Sequence, residues 1–333
     1  MYSGAPGFPE MLPLTNEPTS RRWRRVLSWL LPAGSGLLLA GGGALLAGCA
    51  GSAASGGASA TGKLQVVAAE NFWGSIASQL GGGKVAVSSI IVNPNTDPHS
   101  YEATASDGAA IARSQMAIVN GISYDGWASK LIAANPASGR VVLDAGKLLG
   151  LKEGDNPHQW YSPSSVQRVI AQIVLDYERL DPKDASYFEQ RRALFETREL
   201  AEYNRLRSAI RARYGGVPVG YSESIFQPLG EDLGLRLLTP YSFAKAIAEG
   251  VDVSAADKQT VDRQAEERAI KVWVYNSQNA TPDVQRVNQL ARAARIPITT
   301  VTETLSPASD TFQQWQAAQL VSLRAALHAA TGR

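Results

Sequence analysis

The sequence predicts an α/β protein of two β/α lobes joined by one long rigid helix. Three observations predict it. Short apolar runs alternate with helical patterns from Leu64 onward. The alternation stops once, for an amphipathic stretch with no proline after Pro182 and no glycine before Gly215, and it then resumes to the C-terminus. At 333 residues, 44% of them hydrophobic, the chain is long enough to bury two such cores.

The N-terminus comes before this pattern. Arg21, Arg22, Arg24 and Arg25 precede "VLSWLLPAGSGLLLAGGGALLAGC", which has the charged, apolar and small-residue regions of an export signal. Pro32 and several glycines make it a poor membrane span. It ends in Leu46-Ala47-Gly48-Cys49, which resembles a bacterial lipobox, so Cys49 is the expected lipidation site and residues 1–49 the expected signal. The paired arginines leave both the general and the twin-arginine export routes open, and Met11 is an alternative start. Cys49 is also the only cysteine, which excludes an intrachain disulfide framework. Residues 50–63, "AGSAASGGASATGK", read as a flexible tether whose dozen or so residues span about 20 Å. Much of the basic excess in a formal charge of +2 lies in those four arginines, so charge gives no reason to expect a nucleic-acid partner.

In the first lobe, residues 64–181, "LQVVAA", "KVAVSSIIV", "MAIVNG" and "RVVLDA" read as strands, with helices through "FWGSIASQL" and "YDGWASKLIAA". Ser162 before Pro163 is an N-cap followed by proline at the first helical position, and Thr281 before Pro282 repeats it. Residues 182–214 read as the linking helix. Phe188, Phe195, Tyr203, Leu206 and Ile210 fall on one stripe, and about 30 residues would reach roughly 45 Å. In the second lobe, residues 215–333, "VPVGYS", "LRLLTP", "KVWVYN" and "IPITTVT" read as strands between four helices.

Only three histidines occur in the chain, and two share one local design: Asp97-Pro98-His99 and Asn156-Pro157-His158. Open α/β sheets bind ligands beyond the C-terminal ends of their strands. His99 lies past the second strand, Glu223 follows "VPVGYS" and Glu303 follows "IPITTVT", while His158 precedes the Pro163 helix. Two neutral imidazoles and two carboxylates, two residues from each lobe, neutralise a divalent cation and supply four donors. Taken singly, each residue has an ordinary reading: a loop histidine is usually solvated, and a glutamate near a helix start often caps it. His328 sits near the end of the last helix, where a cation is favoured anyway, and receives no role.

The segments "VVAAENFWGSIASQLGG", "DPHSYEATASD", "VNGISYDGW", "NPHQWYSP", "YSESIFQPLGEDLGL", "VYNSQNATP" and "VTETLSP" come in an order and spacing that resembles the metal-binding substrate-binding lipoproteins of bacterial ABC importers, the zinc/manganese family. The resemblance runs from Leu64 to the C-terminus. It implies two lobes with a metal in the cleft between them, delivered to a membrane permease driven by a cytoplasmic ATPase. It also implies an extracytoplasmic monomer held at the membrane by its lipid. His99, His158 and Glu223 match the first three ligands. Glu303 falls where the fourth carboxylate, usually an aspartate, belongs, and its extra methylene leaves one-oxygen and two-oxygen ligation open.

The expected cargo is Mn2+ or Zn2+, with Fe2+ also compatible. Two nitrogens and two carboxylates resemble the manganese-type shell, whereas the Irving–Williams order favours zinc at most nitrogen and oxygen sites. No enzyme activity is expected. A metal-dependent hydrolase would need an open coordination position and a separate base, and no HExxH motif is present. A surface adhesin lipoprotein is the other rival, and it would not exclude transport.

Overall fold

A computed structural model of the protein describes residues 62–333. The expected signal segment, Cys49 and the tether up to residue 61 lie outside the described residues. The chain enters through β1 (Leu64–Glu70), six of whose seven residues are buried, the pattern of a strand covered on both faces. It continues through α1 (Asn71–Gly81), β2 (Val85–Ile91), α2 (Ala105–Arg113), β3 (Met116–Val119), α3 (Gly126–Ala134), β4 (Val141–Asp144), α4 (Ala145–Leu149) and α5 (Pro163–Leu180). The strands pair in the order β2-β1-β3-β4, every pair parallel.

After α6 (Ala185–Leu194) and α7 (Ala201–Tyr214) the design repeats. The second lobe runs β5 (Pro218–Tyr221), α8 (Gln227–Asp232), β6 (Arg236–Leu237), α9 (Tyr241–Ala248), α10 (Ala255–Glu266), β7 (Val272–Asn276), α11 (Pro282–Ala293), β8 (Ile298–Val301) and α12 (Phe312–Thr331). Its parallel order, β6-β5-β7-β8, is that of the first lobe. In both sheets the order reverses direction beside the first strand, between β1 and β3 and between β5 and β7. Crevices for ligands open at such reversals. Glu70 and Asn120 stand at one reversal, and Ser222, Glu223 and Asn276 at the other.

The expected caps form. Ser162 Oγ accepts from Ser165 N–H and Thr281 Oγ1 from Val284 N–H, each with proline starting the helix. The helix that Ser162 starts, α5, buries Val166, Val169, Ile170, Ile173, Val174 and Tyr177 on one face. Each such side chain contributes about 1.5–3 kcal/mol when fully buried. Three helices were not anticipated from sequence: α2, inside what reads as the first histidine loop, the five-residue α4, and α9.

The segment over 182–214 is not one uninterrupted α-helix. A 3-10 turn (Pro182–Asp184) precedes α6, and a π turn (Phe195–Glu199) separates α6 from α7. The cause lies in the apolar spacing. Phe195 and Leu200 are both buried but five residues apart, which straight α-helix cannot place on one face. The π turn absorbs the extra residue, with Leu200 N–H bonding to Phe195 O at 2.9 Å. Thr197 Oγ1 also donates to Ala193 O at 2.6 Å, a contact that bends helices.

Both lobes contribute to one continuous apolar cluster, from Leu64 in β1 to Leu327 in α12. Near its centre the Phe72 and Trp160 rings stack, with centroids 3.9 Å apart and planes at 14°. Among the described residues no helix is long and apolar enough to cross a membrane.

Candidate metal centre

The two histidines occupy the same kind of turn. Asp97 Oδ1 accepts from His99 N–H at 2.9 Å, and Asn156 Oδ1 accepts from His158 N–H at 3.1 Å. An Asx side chain bonding the backbone two residues on makes an Asx-turn, and the intervening proline fixes φ. This is the physical content of the repeated Asx-Pro-His pattern. The His99 turn is tied down further, because Trp127 Nε1 donates to Pro98 O at 3.1 Å.

His158 is wholly buried. Its Nδ1 lies 2.9 Å from Asn156 Oδ1, which can only accept, so the ring carries its proton there and turns the Nε2 lone pair inward. Ser224 Oγ is 3.3 Å from the same Nδ1. His158 Nε2 stands 3.5 Å from Glu223 Oε1 and 3.6 Å from Glu303 Oε2. Ligand atoms of His99, His158 and Glu303 all lie within 4.8 Å of one another. Glu223 meets this cluster at His158, so the four residues singled out in the sequence converge.

Donors outside the sequence-derived set hold the carboxylates. Tyr124 OH donates to Glu303 Oε2 at 2.8 Å. Asn276 Nδ2 donates to both Glu223 Oε2 and Glu303 Oε1, each at 2.8 Å, and Asn279 Nδ2 reaches Glu223 Oε2 at 3.1 Å. The Tyr124 ring also packs edge-on to His99, with centroids 4.6 Å apart. Trp160 walls the site beside His158, with ring centroids 5.2 Å apart. Phe226 packs on Tyr221 in the core. A cavity of about 340 Å³, lined by Asp97, His99, Glu249, Gln278 and Glu303 among others, opens onto the cluster. His328 lies elsewhere, beside the C-terminal Arg333.

Burial raises the Glu223 carboxyl well above its ordinary range, and the charge of Glu303 adds to the rise. Burial acts the same way on Glu303 and is the largest single influence, but its contacts with His158 and Glu223 and the nearby His99 together bring Glu303 down to about 2. His99 is exposed as a residue at the cleft mouth, yet desolvation of its ring lowers its pKa while Glu303 pulls the other way. Deeper in, Glu70 is fully buried with both carboxyl oxygens unpartnered; burial, then Asp125 and Glu303, raise its pKa well above normal.

His158 Nε2 and Glu223 Oε1 are buried with no hydrogen-bond partner. Buried polar atoms are normally satisfied, so two orphans facing each other across 3.5 Å call for a third body between them. With two imidazoles and two carboxylates, the donor set fits a divalent transition metal.

A family profile described as "ZnuA: Zinc-uptake complex component A periplasmic" matches residues 66–326. The manganese-binding lipoprotein MntA of Halalkalibacterium halodurans is 28% identical over 132 residues, 38% of this chain and 42% of that protein. The iron-binding protein YfeA of Yersinia pestis is 26% identical over 165 residues, 46% of this chain and 52% of that protein. The chain thus spans about half the length of these curated relatives. A Mn-bound periplasmic metal-binding protein from Candidatus Liberibacter asiaticus superposes with a TM-score of 0.66 at 20% identity, covering 80% of this chain and 100% of that one. FpvC of P. aeruginosa in complex with Ni2+ gives 0.64 at 20% identity, covering 81% and 99%. These structures share the fold, and the profile spans nearly all of the described residues. The chain belongs to the family of periplasmic zinc-uptake complex component A proteins.

Proposed function

We propose that this protein captures a divalent transition metal outside the cytoplasm and hands it to the permease of an ABC importer, with an ATPase supplying the energy. The observation that carries the reading is the pair of buried, unpartnered atoms His158 Nε2 and Glu223 Oε1, which converge with His99 and Glu303. In this reading His99, His158, Glu223 and Glu303 are the ligands and the metal is the cargo. The names of the relatives, which bind manganese or iron or take up zinc, support that cargo class. Four protein donors leave no open position for an activated water, which favours a carrier over a hydrolase.

The lipobox-like Cys49 anchors the protein as a monomer to the cell membrane in this reading, and relatives named as lipoproteins support it. Cys49→Ser then releases the protein from membranes; a variant that still fractionates with them after mild washing refutes the anchor.

The test of the cargo reading strips the full chain with chelator, reloads it with manganese, iron and zinc in competition, and counts metal per chain. One metal per chain is expected. His158→Ala should weaken binding by more than about tenfold, since loss of a ligand exceeds the roughly 10- to 100-fold typical of its supporting partners. No metal uptake, or uptake untouched by both His158→Ala and Glu223→Ala, refutes the reading.

A further inference from the structure

We propose that Gln278 is a latch on the site: its side-chain amide ties the loop that carries His99 to the segment that carries Glu303, and so sets how fast the metal enters and leaves. The inference rests on the metal-carrier reading above and adds the residue that controls residence time.

The four candidate ligands differ in access. His158, Glu223 and Glu303 are buried, whereas His99 is exposed, on the loop of residues 92–104 between β2 and α2. The cavity of about 340 Å³ lies between residues 94–100 of that loop and residues 248–250, 278 and 279 of the second lobe, with Glu303 also in its wall. A metal that leaves without disturbing either core passes beneath this loop. The loop must therefore lift.

Few bonds hold it down. Asp97 closes its turn internally, and Trp127 Nε1 donates to Pro98 O from within the first lobe. Among the described residues a single hydrogen bond joins the loop to the second lobe, from Gln278 Nε2 to Pro94 O. The Gln278 amide is fixed for that contact. Its backbone N–H donates to Asn276 Oδ1 at 3.0 Å, and its Oε1 accepts from Glu303 N–H at 2.6 Å and Thr304 N–H at 3.1 Å. The two accepted bonds decide which end of the amide faces Pro94. Nε2 also donates to Thr304 Oγ1 at 3.2 Å, so both protons and both lone pairs of the side-chain amide are engaged. Pro94 lies five residues before His99, so one amide couples ligand segments of both lobes.

Neither Gln278 Nε2 nor Pro94 O is a metal ligand, so the bond between them resists opening whether the metal is entering or leaving. Its loss speeds both steps and changes affinity less than either rate. The plainer role for Gln278 is to support the turn at Glu303 and Thr304, and Gln278→Glu separates the two. A glutamate still accepts from both backbone N–H groups but has no proton for Pro94 O. Its added negative charge attracts the metal and would slow release, opposite to the effect expected of an open latch.

The test follows transfer of zinc from the full chain to a chelating dye by stopped flow, for wild type, Gln278→Glu and Gln278→Ala. Both variants should release zinc about three- to tenfold faster than wild type, the worth of one net hydrogen bond. In a His99→Ala background Gln278→Glu should add less than about twofold, because the loop it frees then carries no ligand. Release from Gln278→Glu within about twofold of wild type overturns the inference and leaves Gln278 a support of the Glu303 turn. An equal acceleration in the His99→Ala background overturns it too, since Gln278 would then act on the whole cleft. Should Gln278→Glu lack native circular dichroism, Gln278→Met, neutral and similar in length, is read in its place by the same limits. A wild type that takes up no zinc overturns the carrier reading itself, whereas zinc binding that depends on His158 with an unchanged release rate in Gln278→Glu overturns only the latch.

Discussion

Replacing Asn156 with alanine separates the two tasks of one side chain. Asn156 Oδ1 accepts from the backbone and from Nδ1 of His158, at 3.1 and 2.9 Å, and its Nδ2 donates to Ser224 O in the other lobe at 2.8 Å. Loss of the Nδ1 contact frees the tautomer and orientation of His158, a loss that typically lowers metal affinity 10- to 100-fold. Ser224 Oγ, 3.3 Å from Nδ1, offers a weaker substitute and places the effect near the lower end. The expectation is about tenfold, or about 1.4 kcal/mol. Loss of the bond to Ser224 O costs the metal-free protein a further ~1–3 kcal/mol of stability, because a partly buried carbonyl loses its donor. Asn156→Asp divides the effects, since its carboxylate still accepts from His158 but cannot donate to Ser224 O. It should keep near-wild-type affinity and still melt lower. Competition against a chelating dye reads the affinities, and metal-free thermal melts read the stabilities. If Asn156→Ala binds zinc within about threefold of wild type, a difference under ~0.7 kcal/mol, the Nδ1 contact does not position the ligand.

Three further outcomes are expected. Glu70 has a folded pKa raised above its ordinary 4.5, so its contribution to stability is complete below that value and is lost as pH rises through the folded value. Metal-free Glu70→Gln should therefore melt at least about 2 °C above wild type at pH 8, with the gap closing toward pH 4; a gap independent of pH contradicts this. Metal binding should weaken as pH falls from 8 to 5, because the metal needs neutral imidazoles and competes with protons for the Glu223 carboxyl, whose pKa burial and Glu303 raise. The lowered pKa of His99 keeps that ligand neutral to below its ordinary 6.5, and each proton that the metal displaces costs up to about tenfold per pH unit. A flat titration, or calorimetry in two buffers with no proton release, refutes it. Gly220 in β5 has no room for a side chain: a Cβ would stand 2.7 Å from Ile270 Cδ1 and 2.8 Å from Trp273 Cε3. Gly220→Ala should cost about 1–3 kcal/mol by overpacking, and an unchanged denaturation midpoint would show that the neighbours yield freely.

The sequence by itself determined what local pattern can encode. Helix starts at Ser162-Pro163 and Thr281-Pro282 follow from bonds that reach three residues along the chain. Parallel strands show as short apolar runs, and the two histidine turns show as Asx-Pro-His because an Asx side chain bonds the backbone two residues away. Three of the four candidate ligands sit past strand ends, so the general rule for α/β sheets places them at one edge, and the family resemblance is what singles them out as ligands. The linking segment marks the limit of such reading: the period of its stripe predicts a helix, but the five-residue step from Phe195 to Leu200 becomes a π turn only because both must face the same core. What the tertiary structure decided is the state of each donor atom. Which oxygen of Glu223 is free depends on Asn276 and Asn279, 53 and 56 residues away in sequence, and Glu303 is held by Asn276, 27 residues away, and by Tyr124, 179 residues away. No period or motif carries that information, because these side chains meet only when the strand ends of both lobes are brought to one cleft. Residue types name the possible ligands, and hydrogen bonds between distant segments fix how many lone pairs each can still offer.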